Sequence, residues 1–243
     1  MSTMTESTIR LSLRELFEMP YRAFRVAGAS HGEAQDSAEA TQFTQVHYGT
    51  GLKSLIDICH EKWTKTPTAL TRDQHPEHLR FVVTSESALK TLHFGPALVD
   101  LATSSDQTVV VDVRLAELNA CIDNPLRLGA RRADRTLFAA QRHDNALRIR
   151  WATPTGDLGR AELDIESAKA RADLTVDNCR THIGSRQESF LPFTTSAVIT
   201  SAADLESRRA ETALAGTEVD RELWVEINHL AQGFKQIDNE GKR

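Results

Sequence analysis

The amino-acid sequence predicts an α+β fold, or its irregular α/β variant, with an N-terminal helical layer, a central mixed or antiparallel sheet and C-terminal helices. Three observations carry that prediction. Over the first sixty residues apolar side chains recur at three- and four-residue spacings, the period of an amphipathic helix. Between 137 and 165 three apolar or alternating runs are separated by turn-forming clusters, the pattern of antiparallel strands. From about 202 onward the helical spacing returns. This order fits a helical segment at 1–66 and a mixed α/β region at 67–243, packed together as one unit.

The first helix opens at Ser12. Its hydroxyl can accept from the Glu15 amide while the Glu15 carboxylate reaches back to the Ser12 amide, a capping box. Leu13, Leu16, Phe17, Tyr21 and Phe24 form the apolar stripe, and Pro20 inside it is expected to kink or split the helix. A second helix, rich in Ala, Gln and Thr, is expected over 33–46. Gly49, Thr50 and Gly51 then break the chain before a third helix carrying Leu52, Leu55, Ile56, Cys59 and Trp63. From 67 to 80 the composition turns polar and reads as a connection.

FVVT at 81–84 is a strand by its β-branched content. A short helix is expected at 97–102 after Pro96, and TVVVDV at 108–113 is the clearest strand. Asp123 and Asn124 followed by Pro125 signal another helix start, because a proline in a first turn forfeits no helical hydrogen bond. The central strands are expected at 137–141, 146–152 and 159–165. In the second of these Leu147, Ile149 and Trp151 alternate with Arg148 and Arg150. A further strand is expected at 173–176. Two helices close the chain, at 202–214 and at 219–233, the latter opening at Thr217.

Composition excludes several classes of function. The 243 residues carry a net charge of −5 and only 6% aromatics, unlike the clustered basic and stacking residues of a nucleic-acid binder. Cys59, Cys121 and Cys179 are too sparse for a disulfide framework and suit a reducing compartment. The first nine residues are polar, without the basic and apolar regions of a signal peptide, and no apolar run approaches the ~20 residues of a membrane helix. The expected protein is cytoplasmic, with neither nucleic acid nor membrane as a partner.

Motifs of specific chemistry are few. The G-x-G-x-x-G, Walker and H-E-x-x-H patterns and the G-x-S-x-G elbow do not occur. Gly49 to Ser54 holds a partial glycine pattern, but it follows a helix and reads as a helix–helix turn. His75 with His78, and Cys179 with His182, have ligand-like spacing, yet each pair lacks the third and fourth partners zinc requires. No metal is expected. Asp177, Cys179, His182, Ser185 and Glu188 form the densest polar cluster of the C-terminal half, just before the apolar FLPF at 190–193. Seven arginines between 127 and 150, Arg131 and Arg132 among them, allow two readings. They could hold an anionic ligand, or they could be a solvated surface paired with Glu162, Asp164 and Glu166.

IRLSLRELF at 9–17, AFRVAGA at 23–29 and EAQDSAEA at 33–40 resemble the N-terminal helices of the type-2 malate/lactate dehydrogenases. The resemblance covers about a quarter of the chain. It implies a non-Rossmann fold and a nicotinamide cofactor, NAD(P), and it implies a Ser-His-Gly turn whose histidine is the catalytic acid/base. Thr50 stands where that histidine should be, and a hydroxyl cannot carry a proton near neutral pH as imidazole can. His47 lies three residues earlier. Over its whole length the chain is similar to an uncharacterised bacterial family, through GPALVDL at 95–101, SFLPF at 189–193 and the closing helix that begins VD at 219.

Two functions follow as expectations. The first is a protein without the inherited redox chemistry that binds a small anionic metabolite or partners an enzyme. The alternative is a small-molecule enzyme, oxidoreductase or hydrolase-like, built around His47, His93 or the 177–185 cluster. His47 and His182 are the candidate catalytic residues, and Arg131, Arg132 and Ser185 the candidate substrate-binding ones. Apolar stripes on the terminal helices suggest a homo-oligomer.

Overall fold

A computed structural model describes residues 7–60, 63, 69–74, 78–164, 181–186 and 197–234. The chain divides into two compact units, one of Met1–Lys65 with Leu205–Arg243 and one of Thr66–Asp204.

The helical unit begins with a short strand, β1 (Thr8–Leu11), then α1 (Leu13–Ala27), α2 (His31–Tyr48) and α3 (Gly51–Cys59). The Ser12–Glu15 capping box of α1 is present in both directions, and an equivalent Ser30–Glu33 box starts α2 two residues before the expected 33. Pro20 neither splits nor ends α1, which runs unbroken with Pro20 buried between Leu16 and Phe24. Burying those two side chains is worth about 1.5–3 kcal/mol each, against about 3 kcal/mol for an interior proline. Gly49 ends α2 in the left-handed conformation, φ 73°. At Gly51 a Cβ would stand 2.1 Å from the Thr41 carbonyl oxygen, so only glycine lets α3 start so close to α2. Helix α3 ends at Cys59, and Trp63 is buried beyond it rather than on its stripe.

The second unit is built on an eight-stranded sheet. Its elements are β2 (Ala69–Gln74), β3 (Leu79–Thr84), α4 (Thr91–Ala102), β4 (Val109–Val113), α5 (Asp123–Ala133), β5 (Thr136–His143), β6 (Ala146–Ala152), β7 (Leu158–Asp164), β8 (Thr181–Arg186) and β9 (Val198–Thr200). The strand order is β2-β3-β4-β8-β5-β6-β7-β9. Only β3 and β4 run parallel, joined by the α4 crossover; every other pair is antiparallel. The polar 67–80 stretch, expected as a connection, contains the edge strand β2, whose partner β3 supplies the apolar content. Helix α4 starts six residues earlier than expected and holds Pro96 inside it. The expected strand at 173–176 lies outside the described residues.

Alternation along the strands separates two faces. Helices α4 and α5 cover the face bearing Leu137: a Cβ on Gly129 of α5 would stand 2.8 Å from Leu137 and 2.5 Å from Val99 of α4. The opposite face carries Phe138, Ala140, Leu147, Ile149, Trp151 and Ala161 as one buried cluster. Two glycines on this face lie directly across from aromatic residues, Gly159 from Trp151 and Gly184 from Phe138. Each ring fills the space where a Cβ would be, 2.0 Å and 2.8 Å away respectively.

The chain returns to the helical unit through α6 (Ala202–Ala215), β10 (Thr217–Asp220) and α7 (Arg221–Leu230). The α6 start is fixed by Asp157, whose Oδ1 accepts from the Ala202 amide at 2.7 Å. That bond, with the Thr155 hydroxyl, holds the Asp157 carboxyl below its ordinary range. The final helix does not open at Thr217. Residues 217–220 form a strand on β1, and Asp220 caps α7 by accepting from the Glu222 and Leu223 amides. Among the described residues no helix is long and apolar enough to cross a membrane.

Candidate active site at Asp112 and His182

Three adjacent strands bring together three side chains far apart in the sequence. Asp112 on β4 lies directly across from His182 on β8, and Arg80 on β3 approaches Asp112 from the other side, its Cα two pairs along the parallel register. The Asp112 side chain is completely buried. Its Oδ2 accepts from Nε of Arg80, with Nη2 beside it, and its Oδ1 is in close contact with Nδ1 of His182.

A carboxylate in such a position needs partners, because an unpaired buried charge costs several kcal/mol. Burial pushes the Asp112 carboxyl up, but the His182 and Arg80 contacts outweigh it and hold the group below the usual carboxylate range. Asp112 is therefore an anion that fixes its two neighbours. The imidazole consequently has distinct ends. Nδ1 faces the carboxylate, while Nε2 is buried and has no hydrogen-bond partner among the described residues. The His182 side chain is only 10% exposed, whereas Arg80 keeps 40% of its side chain in solvent and marks the open edge of the group.

The other residues singled out in the sequence are distributed elsewhere. His47 sits on the last turn of α2 in the helical unit, its ring 4.2 Å from that of Phe43 and its carbonyl accepting from Nη1 of Arg208 at 2.9 Å. It lines a groove of about 520 Å³ with Tyr48, Arg208, Glu211, Thr212 and Thr217. Thr50 is exposed between α2 and α3 and makes no side-chain cap for α3.

Arg131 and Arg132 are exposed on the last turn of α5, where Arg132 pairs with Asp100 of α4. The structure does not bring these arginines to His182. Ser185 shares β8 with His182 but stands across from Leu137, three positions along, whereas His182 stands across from Ala140. Asp177, Cys179, Glu188 and His75 lie outside the described residues. No group of three or more His, Cys, Asp or Glu is placed to hold a metal among the described residues.

The arginine run resolves into individual contacts. Arg148 pairs with Glu162 directly across the hairpin at 3.5 Å, as a solvated reading requires. Arg150, by contrast, is mostly buried and donates to the buried carboxylate of Asp123 at 2.7 Å. Sequence reasoning missed Arg80 and Asp112. The available signal was a single acidic residue inside the apolar run VVVDV, since a lone carboxylate there must find a charged or donor partner.

No protein-family model and no curated protein matches this sequence. Solved structures do match in fold. Malate dehydrogenase from Pyrococcus horikoshii OT3 superposes with a TM-score of 0.60 at 10% identity, over 96% of this chain and 98% of that one. Sulfolactate dehydrogenase from Methanocaldococcus jannaschii gives 0.60 at 9% identity, over 93% and 98%. A dehydrogenase from Sinorhizobium meliloti gives 0.61 at 12% identity, over 93% and 100%. The likeness read in the first forty residues thus extends along nearly the whole chain as a shared architecture, and the protein has the fold of the malate, lactate and sulfolactate dehydrogenases.

Proposed function

We propose that the protein binds a small anionic metabolite of the 2-oxo or 2-hydroxy acid class and transfers a proton to or from it through Nε2 of His182. The observation that carries this reading is the state of that imidazole, held at Nδ1 by a buried carboxylate and left without a partner at Nε2 among the described residues. Asp112 would fix the ring and stabilise the imidazolium formed when Nε2 takes a proton, the role a buried carboxylate plays behind a catalytic histidine. Arg80 would anchor Asp112 and keep positive charge at the open edge. The solved proteins of the same fold are named for malate and sulfolactate, both small organic anions, which supports the choice of ligand class.

The fold also implies a nicotinamide nucleotide. A pyrophosphate needs glycines whose backbone it can approach. The buried glycines described in the sheet unit do not fit that need: Gly159 and Gly184 are covered by Trp151 and Phe138, Gly129 by Val99 and Leu137, and Gly95 by Ile122. No step is therefore routed through a nucleotide, in keeping with Thr50 at the turn position.

Proton transfer can be tested without any cofactor. Incubating the protein with pyruvate or oxaloacetate in D2O is expected to accelerate exchange of the C3 hydrogens, followed by proton NMR. His182→Gln should lower that rate by roughly 10²–10⁴-fold, the usual contribution of a positioned acid–base group. Equal rates in the variant and the original protein would remove His182 from this role.

A further inference from the structure

We propose that the groove at the C-terminal end of α2 binds a small zwitterion of the α-amino acid class, its carboxylate on Arg208 and its ammonium on Glu211. The groove lies within the helical unit, and its volume of about 520 Å³ is that of a small-metabolite site. One wall is a single face of α6, where Glu211 and Thr212 stand three and four residues after Arg208 and Ala215 a further four and three after them. The last turn of α2, with His47 and Tyr48, lies across from it.

Opposite charges three residues apart on a helix ordinarily pair with each other. Arg208 and Glu211 do not. Nη1 of Arg208 donates instead to the carbonyl of His47, one of the oxygens that the end of α2 leaves without a helical partner. That bond fixes the guanidinium while Nε and Nη2 keep no partner among the described residues. Among the described residues Oε1 of Glu211 accepts only the Ser207 hydroxyl, at 3.3 Å. The groove therefore presents one cation and one anion, both free to take a ligand group. Glu218, the other acid on its lining, is already paired with Arg10 at 2.9 Å.

This charge arrangement selects against simpler ligands. A plain carboxylate would meet Glu211 and the negative end of the α2 dipole, and a plain amine would meet Arg208. A molecule carrying both groups gives each protein charge a charge-assisted hydrogen bond.

The inference is independent of the His182 reading, so it is best tested in the full-length His182→Gln protein, by calorimetric titration with L-alanine and L-phenylalanine. L-lactate and isopropylamine serve as the analogues that lack the ammonium and the carboxylate. Saturable binding of at least one amino acid is expected, with both analogues at least tenfold weaker. Arg208→Gln and Glu211→Gln should each weaken the amino acid at least tenfold. Both positions are exposed on α6, and circular dichroism confirms the fold of each variant. Absence of saturation with both amino acids would overturn the proposal. Affinity for either analogue within tenfold of the amino acid, or an affinity unchanged in either variant, would do the same.

Discussion

Asp112 is the residue on which the sheet unit's electrostatics turn. Its carboxylate is in contact with both Arg80 and His182, and its own side chain has no solvent to fall back on. Asp112→Asn is therefore expected to destabilise the protein by about 3–5 kcal/mol, the usual effect of removing one partner of a buried pair. A fall in the urea midpoint at pH 7 reads this directly. The folded carboxyl titrates below its unfolded value, so the unfolded chain binds more protons between the two. The stabilisation is complete above the unfolded value near pH 3.9 and is lost as the pH falls through the folded one. Midpoints measured between pH 6 and pH 3 should drop more steeply for the original protein than for Asp112→Asn. Cys59 offers a contrast: burial pushes its thiol up to about 12, so it should react with a thiol reagent at pH 8 far more slowly in the folded than in the unfolded protein.

At the scale of elements, the signals that were legible were local ones. The Ser12–Glu15 box, the Leu147/Ile149/Trp151 alternation and the turns at 144 and 156, where Asp144 and Gly156 have positive φ, all act within a few residues and were readable from spacing alone. Strands β1, β8 and β10 were not, because each is short or polar and exists only through a distant partner: Leu11 with Thr217, His182 with both Asp112 and Ala140; β2 was missed because it is polar and owes its pairing to β3, Arg72 with Phe81. The candidate site shares that origin. His182 stood out as a histidine in a polar cluster, but its significance comes from β4 and β3, some 70 and 100 residues away. Long-range pairing also explains the sheet glycines. Gly159→Ala would force a methyl into the Trp151 ring, and such overpacking costs about 1–3 kcal/mol or more. A lowered Tm, partly recovered when Trp151 is shortened to Leu in the same chain, is the expected pattern.

For the whole molecule, the division of the chain matters most. The helical unit is assembled from two segments that bracket the sheet unit in sequence, and strands β1 and β10 join those segments with Thr8 across from Asp220. Val219 is buried in that ribbon and faces Ile9. Val219→Ala should speed amide hydrogen exchange in β1 while leaving the β4, β8 and β5 amides unchanged, as separate opening units would. The ribbon also has a consequence for biosynthesis. Translation delivers every described strand of the eight-stranded sheet before it delivers residue 217, so on the ribosome the middle of the polypeptide can close while its front still waits for a partner strand. Although domains generally fold in the order they emerge, the segment made first here is the one completed last, and for that interval its amphipathic helices are the part of the nascent chain most in need of a chaperone.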